Sequence, residues 1–362
     1  MKPKQLLTAS AAVLCAFTAI SSRADAAPPQ YIVLDLGTLG GTSSRSFGIN
    51  AFGQVTGYSD IAGGGSRGFV WTGAALTELP TLGGPGSGGH SINDSGQVAG
   101  TSTYNNVNYG HAARWTGTTP TDLGTLGQFQ NIGSQGRGIN ASGQVAGFSN
   151  INGGGINHAV RWTGTTIEDL GTIGGGTTSY GYAINTAGQV AGVADIGGGI
   201  NHAVIWTGTT PMELATFGSS SGAYAINDAG QAAGTSGSHA VRWTGTAPTD
   251  LGALTGTHSD GFGINNFGDV VGVFFTAGVD TADDYGAFLY TGDTMYDLNT
   301  LLVPGSGVRI NDAQDINDSG QIAATGVIGG RTHAFLLTPT PEPASAVLLL
   351  GGAALLGLRR RR

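Results

Sequence analysis

Five of the seven histidines in this 362-residue chain, His111, His158, His202, His239 and His333, stand first in one short motif, His-Ala-Val-x-Trp-Thr-Gly. Imidazoles can ligate metals or move protons near neutral pH. Ligands of one metal must converge, whereas one histidine per repeat spreads them apart, so a structural use is expected. A second set is acidic: Asp35, Glu78, Asp122, Asp169, Glu213, Asp250 and Asp297 each open a motif of the form Asp-Leu-Gly-Thr-Leu-Gly-Gly. A ring of such carboxylates at one rim suits Ca²⁺ or sugar hydroxyls. The other reading is a turn hydrogen bond or an edge-strand charge that opposes aggregation. A third set, Asp280, Asp283 and Asp284, gathers carboxylates in one loop without EF-hand spacing, and is a further Ca²⁺ candidate. The His-Glu-x-x-His and P-loop motifs are absent, as is the Ser-x-Asp-x-Gly-x-Thr-Trp box of sialidase-type propellers. No catalytic residue and no cofactor is assigned.

Those residues are positioned by a repeat. The motif Ile-Asn-x-x-Gly-Gln-Val-Ala-Gly places its asparagine at Asn50, Asn93, Asn140, Asn185, Asn227, Asn265 and Asn317, at intervals of 38 to 52 residues. Asn at the first and Gly at the fourth place are the preferences of a type I turn. The flanks, such as Tyr182-Ala183-Ile184 and Gln189-Val190-Ala191, read as a hairpin. His158 to Trp162 alternates as a third strand, with Val160 and Trp162 on a buried face and Ala159 and the variable Arg161 opposite. Thr166 to Thr172 supplies a fourth. Trp71, Trp115, Trp162, Trp206 and Trp243 fill one repeat position, with Tyr290 and Leu337 in the other copies, which predicts core packing between units.

Four short strands per roughly 44 residues is the size of a propeller blade. The chain begins with the last motif of a unit, and its seventh unit lacks that motif. The expected fold is therefore all-β: a closed β-propeller of seven four-stranded blades, with the N- and C-terminal strands completing one blade. A β-helix or an open array of hairpins is the other arrangement. The quoted motifs resemble the HAF repeat of bacterial extracellular proteins over nearly the whole of residues 27–340.

Both ends read as processing segments. Residues 1–26 have a basic start, an uncharged run from Leu6 to Ile20, and Ala24-Asp25-Ala26 as an A-x-A cleavage site, the layout of a signal peptide. The sole cysteine, Cys15, lies there. Residues 341–362 read Pro341-Glu342-Pro343, then 15 apolar residues, then Arg359, Arg360, Arg361 and Arg362. Such a run makes about 22 Å of helix, short of the roughly 30 Å hydrocarbon core. A plain membrane anchor is one reading of it. The three parts in order resemble the PEP-CTERM sorting signal of Gram-negative bacteria. That resemblance implies transient inner-membrane anchoring, processing by an exosortase-type enzyme, and delivery to the cell surface or matrix of bacteria that make exopolysaccharide.

Residues 27–340 hold eight arginines and no lysine against 21 acidic residues, a formal charge of −13. An acidic, lysine-free body argues against nucleic acid and anionic membrane as partners. Glycine supplies 66 residues, far above ordinary usage, and much of it recurs at fixed repeat positions, so it marks turns and not disorder. The function expected is a non-enzymatic surface or matrix module that contacts exopolysaccharide or surface proteins. The alternatives are a glycan-active hydrolase or lyase acting from the propeller channel and, further off, adsorption to ice.

Overall fold

In the computed structural model the described residues are 28–341, apart from 105–108, 128–131, 255 and 277–284. The leader, the tail beyond Pro341, and Asp280, Asp283 and Asp284 lie outside them. The described residues form 28 strands in seven antiparallel sheets of four, with one 3-10 turn at Leu298–Leu301 as the sole helical element among them. The sheets are the blades of a seven-bladed β-propeller.

Blade four shows how sequence becomes sheet. Its strands are Ser179–Ile184, Val190–Asp195, Asn201–Thr207 and Thr210–Glu213, paired in chain order from the channel outward. The turn after Ile184 is closed by the Gly188 amide bonding the Asn185 carbonyl, and Gly188 has φ +79°. All seven Asn-x-x-Gly glycines lie in that left-handed region, which a side chain would strain. The seventh blade is completed from the other end of the chain: Tyr31–Asp35 pairs antiparallel with Arg331–Pro339. The Thr340 amide reaches the Gln30 carbonyl at 2.7 Å, so the two ends of the body meet.

The apolar core lies between blades. Trp206 packs with Ile184 and Val190 of its own blade and with Ala146, Ala159 and Leu170 of the blade before it. Trp115, Trp162, Trp206 and Trp243 are fully buried. Ala159 differs from the alternation expected of a strand with one exposed side: it too is fully buried, because each sheet is sandwiched between two neighbours. Arg161, on that same side, reaches the turn of blade four, donating to the Gly188 carbonyl at 2.8 Å. Arg114 and Arg242 make the equivalent clamps to Gly143 and Gly268.

Candidate functional site

The repeated polar residues form structural ties. Each motif histidine bonds the acidic residue 11 places on: His111 to Asp122, His158 to Asp169, His239 to Asp250 and, across the chain ends, His333 to Asp35, all at 2.8–3.0 Å. His202 pairs with Glu213 in the same way, and Arg67 takes the histidine's place beside Glu78. Asp35, Asp122, Asp169 and Asp250 also cap their own turns, accepting from the amide two residues later at 2.8 Å. Burial pushes the Asp122 carboxyl up, but the bonds from His111 and the Gly124 amide outweigh it and hold the group below the usual carboxylate range. Of the two readings of the acidic ring, the geometry matches the turn hydrogen bond. Among the described residues no three His, Cys, Asp or Glu side chains gather as a metal site.

The seven turn asparagines form a closed circle. The Nδ2 of each donates to the backbone carbonyl of the next blade's asparagine at 2.9–3.5 Å, from Asn50 round to Asn317 and back. The Oδ1 of each accepts from its own turn, as Asn140 does from the Gln144 amide at 3.0 Å. Below this circle lie seven isoleucines, each the residue before its Asn: Ile49, Ile92, Ile139, Ile184, Ile226, Ile264 and Ile316. They line a cavity of about 240 Å³ on the asparagine side, and all but Ile316 also line a larger one of about 380 Å³ beyond.

The larger cavity holds the side chains that do not repeat. In every blade the innermost strand carries a β-bulge at the residue three before the asparagine. In blade three, Gly136 pairs with Gly147 and Gly138 with Ala146, leaving Arg137 out of the ladder. A bulge frees one residue from pairing and re-aims it. The bulged residues are Phe47, His90, Arg137, Tyr182, Tyr224, Phe262 and Gln314, all partly exposed and all lining the channel. Two neighbours flank this position in six of the seven units while its side chain changes. The glycine opposite is one of them: a Cβ on Gly147 would lie 1.9 Å from the Gln135 carbonyl oxygen. The other is a serine three residues before the bulge, such as Ser179, whose Oγ bonds Gly171 O and receives Ala159 N of the preceding blade.

Around the ring the side chains touch in sequence. Phe47 and His90 lie 5.5 Å apart between ring centres, Tyr182 and Tyr224 meet edge-on at 5.5 Å, and Tyr224 and Phe262 are 6.0 Å apart. Burial, and then the nearby Arg137 charge, lower the His90 pKa to about 3, so at neutral pH its imidazole is uncharged. Burial raises both phenols, Tyr224 to about 12 with the Asp260 charge adding to it, so both remain O–H donors.

Three carboxylates stand near the same wall. Asp260 of blade six receives Thr235 Oγ1 and His258. Asp312 of blade seven faces Arg45 at 3.9 Å and accepts from Gln314 at 3.1 Å. Asp315 stands where the other blades have Gly48, Ser91, Gly138, Ala183, Ala225 and Gly263. Its oxygens accept the Ile49 amide of blade one at 3.1 Å and the Ile316 amide at 2.9 Å. Burial pushes its pKa to about 7 despite both bonds.

No family model and no curated protein matches the chain. Solved structures do resemble it in fold. A puromycin-hydrolyzing peptidase of Mycobacterium tuberculosis matches at 11% identity and TM-score 0.51, over 81% of this chain and 52% of that one. This chain thus spans about half of that protein's length. A gluconolactonase of Xanthomonas campestris matches at 10% identity and TM-score 0.38, over 88% of this chain and 96% of that one. At these identities the likeness is one of propeller architecture and assigns no chemistry.

Proposed function

We propose that the protein is an exported, non-enzymatic binding module of the bacterial surface or matrix, and that its ligand site is the ring of bulged residues in the channel. One observation carries this reading. The fold holds seven equivalent positions open to the channel, and the repeats differ at them, mixing four aromatics with Arg137, His90 and Gln314. Flat aromatic faces with a few convergent polar groups suit the alternating apolar and hydroxyl faces of a sugar. Export and sorting rest on the leader and on the PEP-CTERM-like tail, which also motivate exopolysaccharide as the partner. The purified protein should be retained on the polysaccharide of its own organism, and absence of retention would refute the sugar-binding part.

A second reading, a glycan hydrolase or lyase, is favoured by Asp315. A carboxyl with pKa about 7 at a channel wall has the proton affinity of a general acid. Against it, both Asp315 oxygens already accept backbone amides, while Asp260 and Asp312 have partners of their own. Release of reducing ends from the organism's polysaccharide, abolished in Asp315→Asn, would establish the enzymatic reading in place of the first.

A further inference from the structure

Arg137 is the one cation among the seven bulged positions. Its guanidinium is held from behind: one nitrogen donates to Gln135 Oε1 at 2.8 Å, and Cζ lies 5.8 Å from the centre of the Phe148 ring. Nε is buried without a hydrogen-bond partner. The other arginines that face a blade neighbour are committed. Arg114, Arg161 and Arg242 clamp turn carbonyls, while Arg45 and Arg67 face carboxylates. Among the described residues Arg137 faces no carboxylate and no backbone carbonyl, and its one acceptor is the neutral side-chain amide of Gln135.

Taking a guanidinium out of water without an anion is unfavourable, and here the arrangement stands in a body of formal charge −13. A planar fork of donors, fixed at one end and open at the other, matches the two oxygens of a carboxylate. Its surroundings add no competing cation, because His90 stays neutral beside it. The Tyr182 phenol lies close enough to feel its charge and offers an O–H donor to the same anion. The cavity of about 380 Å³ is within the range that encloses small ligands. Phe262 and Tyr224 line the same cavity and supply aromatic surface suited to the apolar side of a sugar.

We infer that the channel site selects an acidic sugar, with the carboxylate of a uronic acid unit held bidentate by Arg137 and its ring against the neighbouring aromatics. This rests on the channel being the ligand site, as proposed above, and adds the charge of the ligand to it. The outer surface, also acidic, acts at long range only weakly, since charges are screened within about 8 Å at physiological salt. Recognition therefore depends on the local fork and not on attraction from a distance.

The test is calorimetric titration of the full purified protein with trigalacturonate, with the neutral trisaccharide maltotriose, and with inorganic phosphate and acetate as free anions. The expected result is binding of trigalacturonate at least tenfold tighter than of maltotriose or either free anion. Arg137→Gln should remove that preference while keeping its melting temperature. Should Arg137→Gln fail to fold, Arg137→Lys serves: it keeps the charge but loses the fork, and should weaken trigalacturonate several-fold. Equal affinity for the two trisaccharides, or an unchanged preference in the variant, would overturn the acidic-sugar inference and leave the channel as a neutral sugar site. Phosphate or acetate binding as tightly as trigalacturonate would overturn the sugar part. If neither trisaccharide binds, but the organism's polysaccharide is still retained on a variant lacking the channel aromatics, both inferences fall and binding lies elsewhere.

Discussion

Asn317 Nδ2 donates to the backbone carbonyl of Asn50 at 2.9 Å, across 267 residues of chain. With this bond the circle of asparagines closes, and blade seven is joined to blade one by the same contact that joins every other pair. Each asparagine therefore serves two blades. Its Oδ1 shapes its own turn and its Nδ2 satisfies a buried carbonyl of the next.

Asn140→Ala should be strongly destabilising for a substitution of this size. It strands the Gln144 amide, bonded now at 3.0 Å, and removes the 3.1 Å bond to the Asn185 carbonyl, which keeps the Gly188 amide. An unsatisfied buried group costs about 1–3 kcal/mol, so a loss of about 2 kcal/mol is expected in urea unfolding. Asn140→Asp keeps the acceptor and loses the donor, and should fall between wild type and alanine. Equal stability of all three would mean the circle is decorative.

The meeting of the chain ends predicts tolerance to rewiring. Tyr31 pairs with Pro339, and the Thr340 amide bonds Gln30, so a short linker can join them. The loop Gly63–Gly65 is exposed, with nothing within 4 Å of an added Cβ. A circular permutant cut there should melt within a few degrees of wild type. Deleting residues 28–36 instead removes the buried Tyr31 and the outermost strand of blade seven, and should cause aggregation through the edge of Arg331–Pro339 that it opens. Differential scanning calorimetry and size-exclusion chromatography separate these outcomes.

Two glycines of equal type should respond differently to alanine. At Gly147 an added Cβ would collide with the Gln135 carbonyl oxygen at 1.9 Å and lie 3.0 Å from the buried Trp162 ring, with no room to yield. Gly147→Ala should cost more than about 3 kcal/mol or prevent folding. Gly155, with φ +83° and open space around it, should lose about 1 kcal/mol, the strain of the left-handed conformation alone. Thermal melts of the pair decide whether the bulge-facing glycine is a steric requirement.

Much of this architecture is legible in the sequence because the backbone demands particular residues wherever it turns. Asn185 and Gly188 recur seven-fold since the turn needs both, and Trp206 recurs since the gap between blades has one shape. The starting phase at Tyr31 likewise exposes the shared blade. The site is another matter. Tyr182 sits in Ser179-Tyr180-Gly181-Tyr182-Ala183-Ile184, and nothing in that string says the second tyrosine leaves the ladder, because a bulge is set by pairing with the next strand. Ser179 repeats in six of seven units as Ser44, Ser87, Ser134, Ser179, Ser221 and Ser259, a periodic signal visible in the sequence. Its partner lies in another blade, so its purpose is not. The histidines and acids repeat visibly, but only the fold shows that they answer each other.

The pH dependence of stability should carry the mark of Asp315. Its folded pKa of about 7 lies above the ordinary carboxylate value of 3.8, so the folded chain holds this proton more tightly than the unfolded chain. Stability from this group is complete below about pH 4, falls as pH rises from there to about 7, and levels off above. At pH 8 the ionised group costs roughly 2–4 kcal/mol. Asp315→Asn keeps an acceptor for one of the amides of Ile49 and Ile316, and should be more stable than wild type at pH 8 but not at pH 4. Urea unfolding at both pH values checks this. A variant that tracks wild type at both would mean the carboxyl titrates normally.

The bulged ring, and not some other face, is the surface expected to meet the ligand. The direct measurement is the affinity of fragments of the organism's polysaccharide for two variants. In one, Tyr182 and Tyr224 are both replaced by alanine in the channel. In the other, Phe52, 73% exposed on the asparagine face, is replaced by alanine. The channel variant should lose at least tenfold in affinity with its melting temperature little changed, while Phe52→Ala binds as wild type. Unchanged binding by the channel variant, or loss confined to Phe52→Ala, would contradict the assignment.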